Sequence, residues 1–529
     1  MLQEYGPEPH SSALPDFVRF MSRMLFWVGP PNRGKQAKQH HAPIGRLLRS
    51  ALTMIVGVAC LGAPGLVFSQ QSRSLAESVE KAILSHPEVQ ARFHDFLTTL
   101  EGQNIERGAL RPQVSAEAWT GREWRTGSST DPSANWSRNG YSLQLSQLLF
   151  DGFRTLNTVR ERGFDKVAAY FTLLQTVDSI ALESAQAHLD VILYRELERL
   201  AKENYQAHLD THAQIQERQE SGVGRGVDFE QSRGRLALAQ SNLMTESANL
   251  NDVSQRYQRL VGELPPPVLL DAPNLAHWLP VKPESFHKEL RSNPELLAKQ
   301  ALFQSEGAAF AAAKGLHMPT LELRASTGKD HSQPGLPYRD AHSSNVRLVM
   351  SYALSRGGAD QARIRQTKAQ QYAARDVRDY TCRNIQQELA IAWNNIYKIR
   401  EQMPYLRQHM EATTRVRTAY KQQFQIGERS LLDVLDTENE LFDARRSFVI
   451  AEINLAREEF RWLMRSHRLL QALSLSQPFN EVPAEVARLD FPEESAKACA
   501  SGVPDVERLQ PVAIEYREAL QPPILNSLE

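Results

Sequence analysis

The sequence predicts a mainly α-helical protein that carries a membrane β-barrel and is internally duplicated, and three observations predict it. Two stretches, 154–220 and 358–425, are rich in Ala, Leu, Gln, Glu and Arg, with Pro404 the sole proline in either. Four short segments alternate apolar and polar residues. Anchor motifs of the first half return in the second at a nearly constant distance.

The helices come first. Leu182, Ala185, Leu189, Ile192, Leu193, Leu197 and Leu200 form a stripe at three- and four-residue steps, the period of one helix face. Leu431, Val434, Leu435, Leu441, Phe442, Phe448, Ile453 and Phe460 continue the pattern in a last helix. A helix filling 154–220 would be roughly 100 Å long, longer than a globular core needs, so these helices are expected to pack side by side as a coiled coil.

The duplication follows from the anchors. HPEV at 86–89 returns as NPEL at 293–296, and LRP at 110–112 as HMP at 317–319, both 207 residues on. LFDG at 149–152 returns as LSRG at 354–357, and the Gly222 and Asp228 pair returns as Gly427 and Asp433, both 205 residues on. Each half therefore reads helix, strand, loop, strand, long helix, tight turn, helix. The expected domains are a leader at 1–69, a first repeat at 70–263, a Pro-rich linker at 264–284, a second repeat at 285–466 and a C-terminal extension at 467–529.

The strand segments are QVSAEAWT (113–120), SLQLSQL (142–148), LELRAS (321–326) and VRLVMSY (346–352). Leu143 and Leu145 point one way while Gln144 and Ser146 point the other; Leu321 and Leu323 similarly oppose Glu322 and Arg324. Half-buried strands of a soluble sheet give this pattern, and so does a barrel with lipid outside and water inside. Four such segments in a duplicated frame favour the barrel. Gly121–Gly140 and Thr327–Ser344 read as loops outside the cell. Four strands cannot enclose a pore, whereas three copies supply twelve and leave no free edge. Trp119 suits an interfacial aromatic girdle, with Trp124 and Trp136 assigned to a loop.

The leader agrees with export. Arg33, Lys35, Lys38, Arg46 and Arg49 precede an apolar run from Ala51 to Phe68, and Val67 and Ser69 occupy the −3 and −1 places before Gln70. That order is a secretory signal's, although a membrane anchor is the competing reading and the n-region is long, so the true start lies downstream or the leader is extended. Lipid attachment at Cys60 is disfavoured by Gly57. Charge is balanced, with Lys+Arg 61 against Asp+Glu 62, which argues against nucleic-acid binding. The three cysteines, Cys60, Cys382 and Cys499, lie far apart, and neither a zinc site nor a disulfide framework is expected. His208 and His212 stand four apart, a weak metal-site spacing without catalytic context. No phosphate loop or nucleophile elbow points to an enzyme.

QIGERSLLDVLDTENELFDA (425–444), with looser support from GVGRGVDFEQS (222–232) and LLFDG (148–152), resembles the TolC family of bacterial outer-membrane factors over about residues 74–466. The resemblance implies a homotrimer, a twelve-strand barrel on a twelve-helix periplasmic tunnel, no cofactor, a periplasmic adaptor and an inner-membrane ABC transporter or proton-driven pump. LLFDG and the DVLD turn lean toward type I protein secretion, with small-molecule efflux the alternative; a non-pore coiled-coil scaffold is the alternative from another class. Gly222, Gly226, Gly427 and Ser430 would form the periplasmic turns. Asp433 and Asp436 would form two acidic rings at the entrance, against the plainer reading that early acids favour a helix dipole. Arg429 and Asp228 would belong to a network holding the entrance shut, with Phe424 at a position where a tyrosine is usual. The resemblance does not extend to the Pro-rich residues 467–529, which either wrap the tunnel's middle or are disordered.

Overall fold

The computed structural model describes residues 72–127, 134–280, 286–331, 341–479 and 481–499. The predicted leader with Cys60, and residues 500–529, lie outside the described residues.

The recurring His/Asn-Pro-Glu anchor is a helix start. The first repeat begins with α1 (Leu75–Ser85) and α2 (Pro87–Gly108); the second with α5 (His287–Ser292) and α6 (Pro294–Lys314). His86 caps α2 by accepting from the Glu88 N–H at 3.3 Å, and Asn293 caps α6 by accepting from the Leu296 N–H at 3.2 Å. The following proline occupies the first helical position, where its missing N–H costs nothing. Each repeat then continues as two strands, a 67-residue helix and a shorter return helix: β1 (Gln113–Arg125), β2 (Ala134–Phe150), α3 (Arg154–Glu220) and α4 (Gly226–Val261); and β3 (Thr320–His331), β4 (Ala341–Ser351), α7 (Ala359–Gln425) and α8 (Leu431–Arg465). The expected limits of the two long helices agree with these to within one residue.

Helix α3 is buried along most of its middle because it packs against α1, α2, α4, α6 and α8. Leu173, Val177, Ile180 and Leu189 meet Tyr257, Phe460 and Trp462 in the main core. Charges enter this core only with partners: Asp190 accepts from Arg256 at 3.0 Å and also from Arg457.

The four strands form one antiparallel sheet in the order β1-β2-β3-β4, so the two repeats meet at β2 and β3. The register puts Val114, Ala116 and Ala118 opposite Leu145, Leu143 and Tyr141. Leu145 lies opposite Ala325, and Leu321, Leu323 and Ala325 lie opposite Met350, Leu348 and Val346. One face is therefore apolar across all four strands, while Ser115, Glu117, Gln144, Ser146, Arg324, Ser326 and Asn345 share the other. The apolar face is exposed, with Val346 at 72% and Met350 at 70%. From Tyr141 to Leu149 β2 runs about 26 Å along the strand, close to the height of about 25 Å typical of an outer-membrane barrel's apolar band. No helix among the described residues is long and apolar enough to cross a membrane.

The strands run further than the expected loops allowed. β1 continues to Arg125 and β3 to His331, because ladder bonds need only backbone and do not require the apolar–polar alternation, which lapses in these stretches. Arg138 bridges three strands there, 2.8 Å from both Glu123 and Asp330. This extension corrects the tryptophan assignment. Register places Trp119 on the polar face, where its ring covers Gly140, and puts Trp124, 72% exposed, on the same face as Val114.

Residues 467–479 and 481–499 lie against the helices. Leu469, Leu470 and Leu473 are buried in the main core, and Phe479 stacks on Phe93 at 4.6 Å. A short turn, Ala484–Arg488, sets Glu485 beside Lys166 at 2.7 Å and Gln103 at 2.9 Å. Burial pushes the Glu485 carboxyl up, but these two partners more than offset it and hold it below its usual range. Gln304 donates to the Asp490 carbonyl at 2.8 Å.

A disulfide joins Cys382 of α7 to Cys499, with Cα atoms 6.1 Å apart. This corrects the expectation of no disulfide: 117 residues separate the two cysteines, and only the docking of the extension brings them together. Replacing Cys499 with serine is expected to cost about 2–4 kcal/mol and to expose residues 493–499 to protease; unchanged proteolysis in the variant and under reduction would refute that anchoring.

His467 sits at the left-handed exit from α8, φ 57°, with Nδ1 2.5 Å from the buried Asp178 carboxylate. Burial lowers the imidazole pKa, yet the bond and charge of Asp178 more than offset this and leave it raised. Burial pushes the Asp178 carboxyl up as well. A raised histidine contributes stability that is full below its unfolded value near ~6.5 and is lost as pH rises through the folded value. Thermal midpoints measured from about pH 6 to pH 9 should therefore fall more steeply for the parent than for His467→Gln; parallel curves would show that the pair does not act this way.

Candidate functional site: the paired helix hairpins

The long helices end by the same device. At the α3 end, Val223 N–H bonds the Arg218 carbonyl at 3.1 Å and Gly222 takes φ 78°. At the α7 end, Glu428 N–H bonds the Gln423 carbonyl at 2.9 Å and Gly427 takes φ 83°. Glycine at the left-handed position after a helix is what this termination requires. Gly226 does not share that role: it is the first residue of α4, and a Cβ there would meet nothing within 4 Å. Gly224 is the turn's second required glycine, since its Cβ would lie 2.7 Å from the Gln219 nitrogen.

Phe424 is buried with Ile215, Leu431, Val434 and Leu435, and Phe229 packs against them, so one apolar cluster ties the tips of α3, α4, α7 and α8. The Arg218 guanidinium lies 5.0 Å from the Phe424 ring centroid, a cation–π contact where a tyrosine would offer a hydroxyl. Arg429 donates to Gln423 at 3.0 Å and covers the Tyr420 ring at 4.3 Å. Asp228 lies in the first turn of α4, and among the described residues its carboxylate has no partner within the protomer. No bond joins Arg429 to Asp228 inside one chain.

The two acids of α8 differ. Ser430 caps the helix by accepting from the Asp433 N–H at 3.2 Å, and Asp433 accepts in return from the Ser430 hydroxyl at 2.9 Å and its N–H at 3.2 Å, a reciprocal capping box. Those Ser430 bonds hold the Asp433 carboxyl below its usual range. Asp436 instead pairs with Arg235 of α4 at 2.6 Å, a cross-repeat link. Sequence reasoning missed Arg235, one exposed-looking arginine among many, which no spacing signal marks. Deeper in, Arg417 donates to the buried Glu438 at 2.6 Å.

His208 and His212 diverge, the first toward Asn439 at 3.1 Å and the second toward Ser232 at 2.9 Å. Among the described residues no group of three metal-ligating side chains occurs.

A duplicated bundle of long helices carrying a sheet with one apolar and one polar face defines a channel protein of the outer-membrane type. The model of the family described as "Outer membrane efflux protein" matches residues 78–263 and 286–461, one block per repeat. The chain belongs to that family, and its place is the outer membrane. It is similar to Outer membrane efflux protein BepC of Brucella suis biovar 1 (strain 1330), 25% identical over 400 residues, which cover 75% of this chain and 84% of BepC. It is similar to Outer membrane protein TolC of Escherichia coli (strain K12), 24% identical over 491 residues, covering 85% of this chain and 94% of TolC. In fold it matches the CmeC outer membrane channel of Campylobacter jejuni, with TM-score 0.67 and 15% identity over 80% of this chain and 89% of that one. It also matches the MtrE outer membrane channel of Neisseria gonorrhoeae in its open state, with TM-score 0.65 and 16% identity over 75% and 89%. The family's description names an outer-membrane efflux protein, and both of these structures are of outer membrane channels.

Proposed function

We propose that three copies of this chain close their sheets into a twelve-strand barrel in outer-membrane lipid and their helices into a twelve-helix periplasmic tunnel. The observation that carries this reading is the sheet: its apolar face is exposed, its opposite face is polar, and among the described residues both outer strands, β1 and β4, end the sheet without a partner. In hydrocarbon such edges need pairing, and a neighbouring copy supplies it.

The tunnel would receive cargo through a periplasmic adaptor from an inner-membrane ABC transporter, as in type I protein secretion. Support comes from the LLFDG strand end and the DVLD turn. Both the family and BepC are named for efflux, which supports a second reading, export of small molecules by a proton-driven pump. In both, the hairpin tips form the entrance, with Asp433 and Asp436 in rings and Arg429, Asp228 and Phe424 at the contacts between helices.

Cell fractionation followed by planar-bilayer recording tests the channel itself. The protein should appear in outer-membrane extracts as a trimer and give discrete conductance steps. A freely soluble rod, or a monomer without conductance, would end this reading. Co-purification then separates the cargo classes: an ABC transporter supports secretion, and a proton-driven pump supports efflux.

A further inference from the structure

Between α2, α3 and the C-terminal extension lies a cleft of about 450 Å³, lined by Arg107, Arg160 and Arg488 among others. Its one carboxylate, Glu485, is already engaged by Lys166, 2.7 Å away, and by Arg107, 3.3 Å away. Among the described residues Arg160 has only the neutral Asn157 oxygen, at 3.3 Å, and Arg488 has no partner. The cleft therefore presents unneutralised guanidinium charge beside the apolar Leu156, Val159 and Phe164.

Its place in the fold says what would meet that charge. Arg107 lies in the last turn of α2, just before β1 begins at Gln113, and Arg160 lies in the second turn of α3, just after β2 ends at Phe150. At 1.5 Å per helical residue, Arg160 stands about 10 Å below the start of α3. Exposed apolar side chains surround this level: Ile105 at 74%, Phe153 at 62%, Leu156 at 42% and Leu110 at 40%. Such a collar below the apolar band suits the periplasmic leaflet of the membrane, with arginines reaching phosphates and apolar groups meeting glycerol and acyl carbons.

We infer that this cleft binds the headgroup of an anionic phospholipid from the periplasmic leaflet of the outer membrane. Arg160 and Arg488 take the phosphate, Arg107 and the Lys166–Glu485 pair fix the floor, and Leu156 and Phe164 meet the apolar part. The gap at Gly163 serves the same floor, since a Cβ there would lie 2.7 Å from the Gln103 amide nitrogen. Lipid bound here would also clasp the extension to α2 and α3 at the membrane boundary.

The test uses the full-length, membrane-extracted assembly, stripped of lipid in detergent and titrated separately with phosphatidylglycerol, phosphatidylethanolamine and inorganic phosphate, with retained molecules counted by native mass spectrometry. Phosphatidylglycerol should be held about tenfold more tightly than phosphatidylethanolamine, and the double variant Arg160→Gln, Arg488→Gln should weaken it roughly thirtyfold. Both residues are exposed, so the assembly should persist. The Arg122→Gln variant, at the far end of β1, should bind as the parent does. Equal retention of the two lipids, undiminished binding by the double variant, or full displacement by equimolar inorganic phosphate would overturn the assignment. A protein that never entered the membrane fraction would instead count against the channel reading.

Discussion

Replacing Arg235 with alanine is expected to raise the resting open probability of the channel by about ten- to a hundredfold while leaving the assembly intact. The Arg235–Asp436 pair joins α4 of the first repeat to α8 of the second, close to the hairpin tips, at 2.6 Å. Both partners are partly exposed, 33% and 54%, so one such pair contributes only about 0.5–1 kcal/mol. A concerted entrance in the proposed trimer sums three of them, roughly 1.5–3 kcal/mol, which corresponds to that population shift. The effect should shrink at high salt, because the pair is screened. Arg235→Lys should restore most of the closed state, since charge survives although the second donor does not. Single-channel recordings in which Arg235→Ala and parent show the same resting conductance and open probability would dispose of this latch.

Gly140→Ala should disrupt the sheet strongly. A Cβ at Gly140 would lie 2.5 Å from the Lys329 carbonyl oxygen and 2.5 Å from the Trp119 ring. The ring can rotate away, but the carbonyl belongs to the β2–β3 ladder that joins the two repeats. Relief therefore requires moving backbone, at a cost of about 3 kcal/mol or more per chain. Membrane-inserted protein should fall by about tenfold or more. Removing the ring as well, in Gly140→Ala with Trp119→Ala, should recover only part of the loss, because the carbonyl clash remains. Full recovery in the double variant would mean that the ring alone demanded the glycine.

The helices were legible because length, composition and proline avoidance all act over dozens of residues, and α3 and α7 declared both ends. The apolar parts of the strands were legible from alternation. Their outer ends were not, since Arg122 and Glu123 are both polar and alternation vanishes where water meets both faces. The turns were half legible. Glycine identifies a reversal, but only backbone geometry tells Gly222, which needs its left-handed angle, from Gly226, which does not. Ser430 and Asp433 were recognisable as a helix start, and their reciprocal bonds give Asp433 a local task inside each chain. Arg235, Glu485 and the Cys382–Cys499 bond escaped because each acts across elements that only the fold brings together.

The unpartnered outer strands have a genetic corollary. In the proposed trimer a lone copy would present two rows of peptide groups that hydrocarbon cannot satisfy, so each chain would depend on its neighbours for a tolerable membrane state. Damage to one seam is then shared by every complex that recruits the damaged chain. A cell making equal amounts of parent and a β4-edge proline variant would retain about one wholly intact complex in eight under random threefold mixing, and such alleles should behave as dominant.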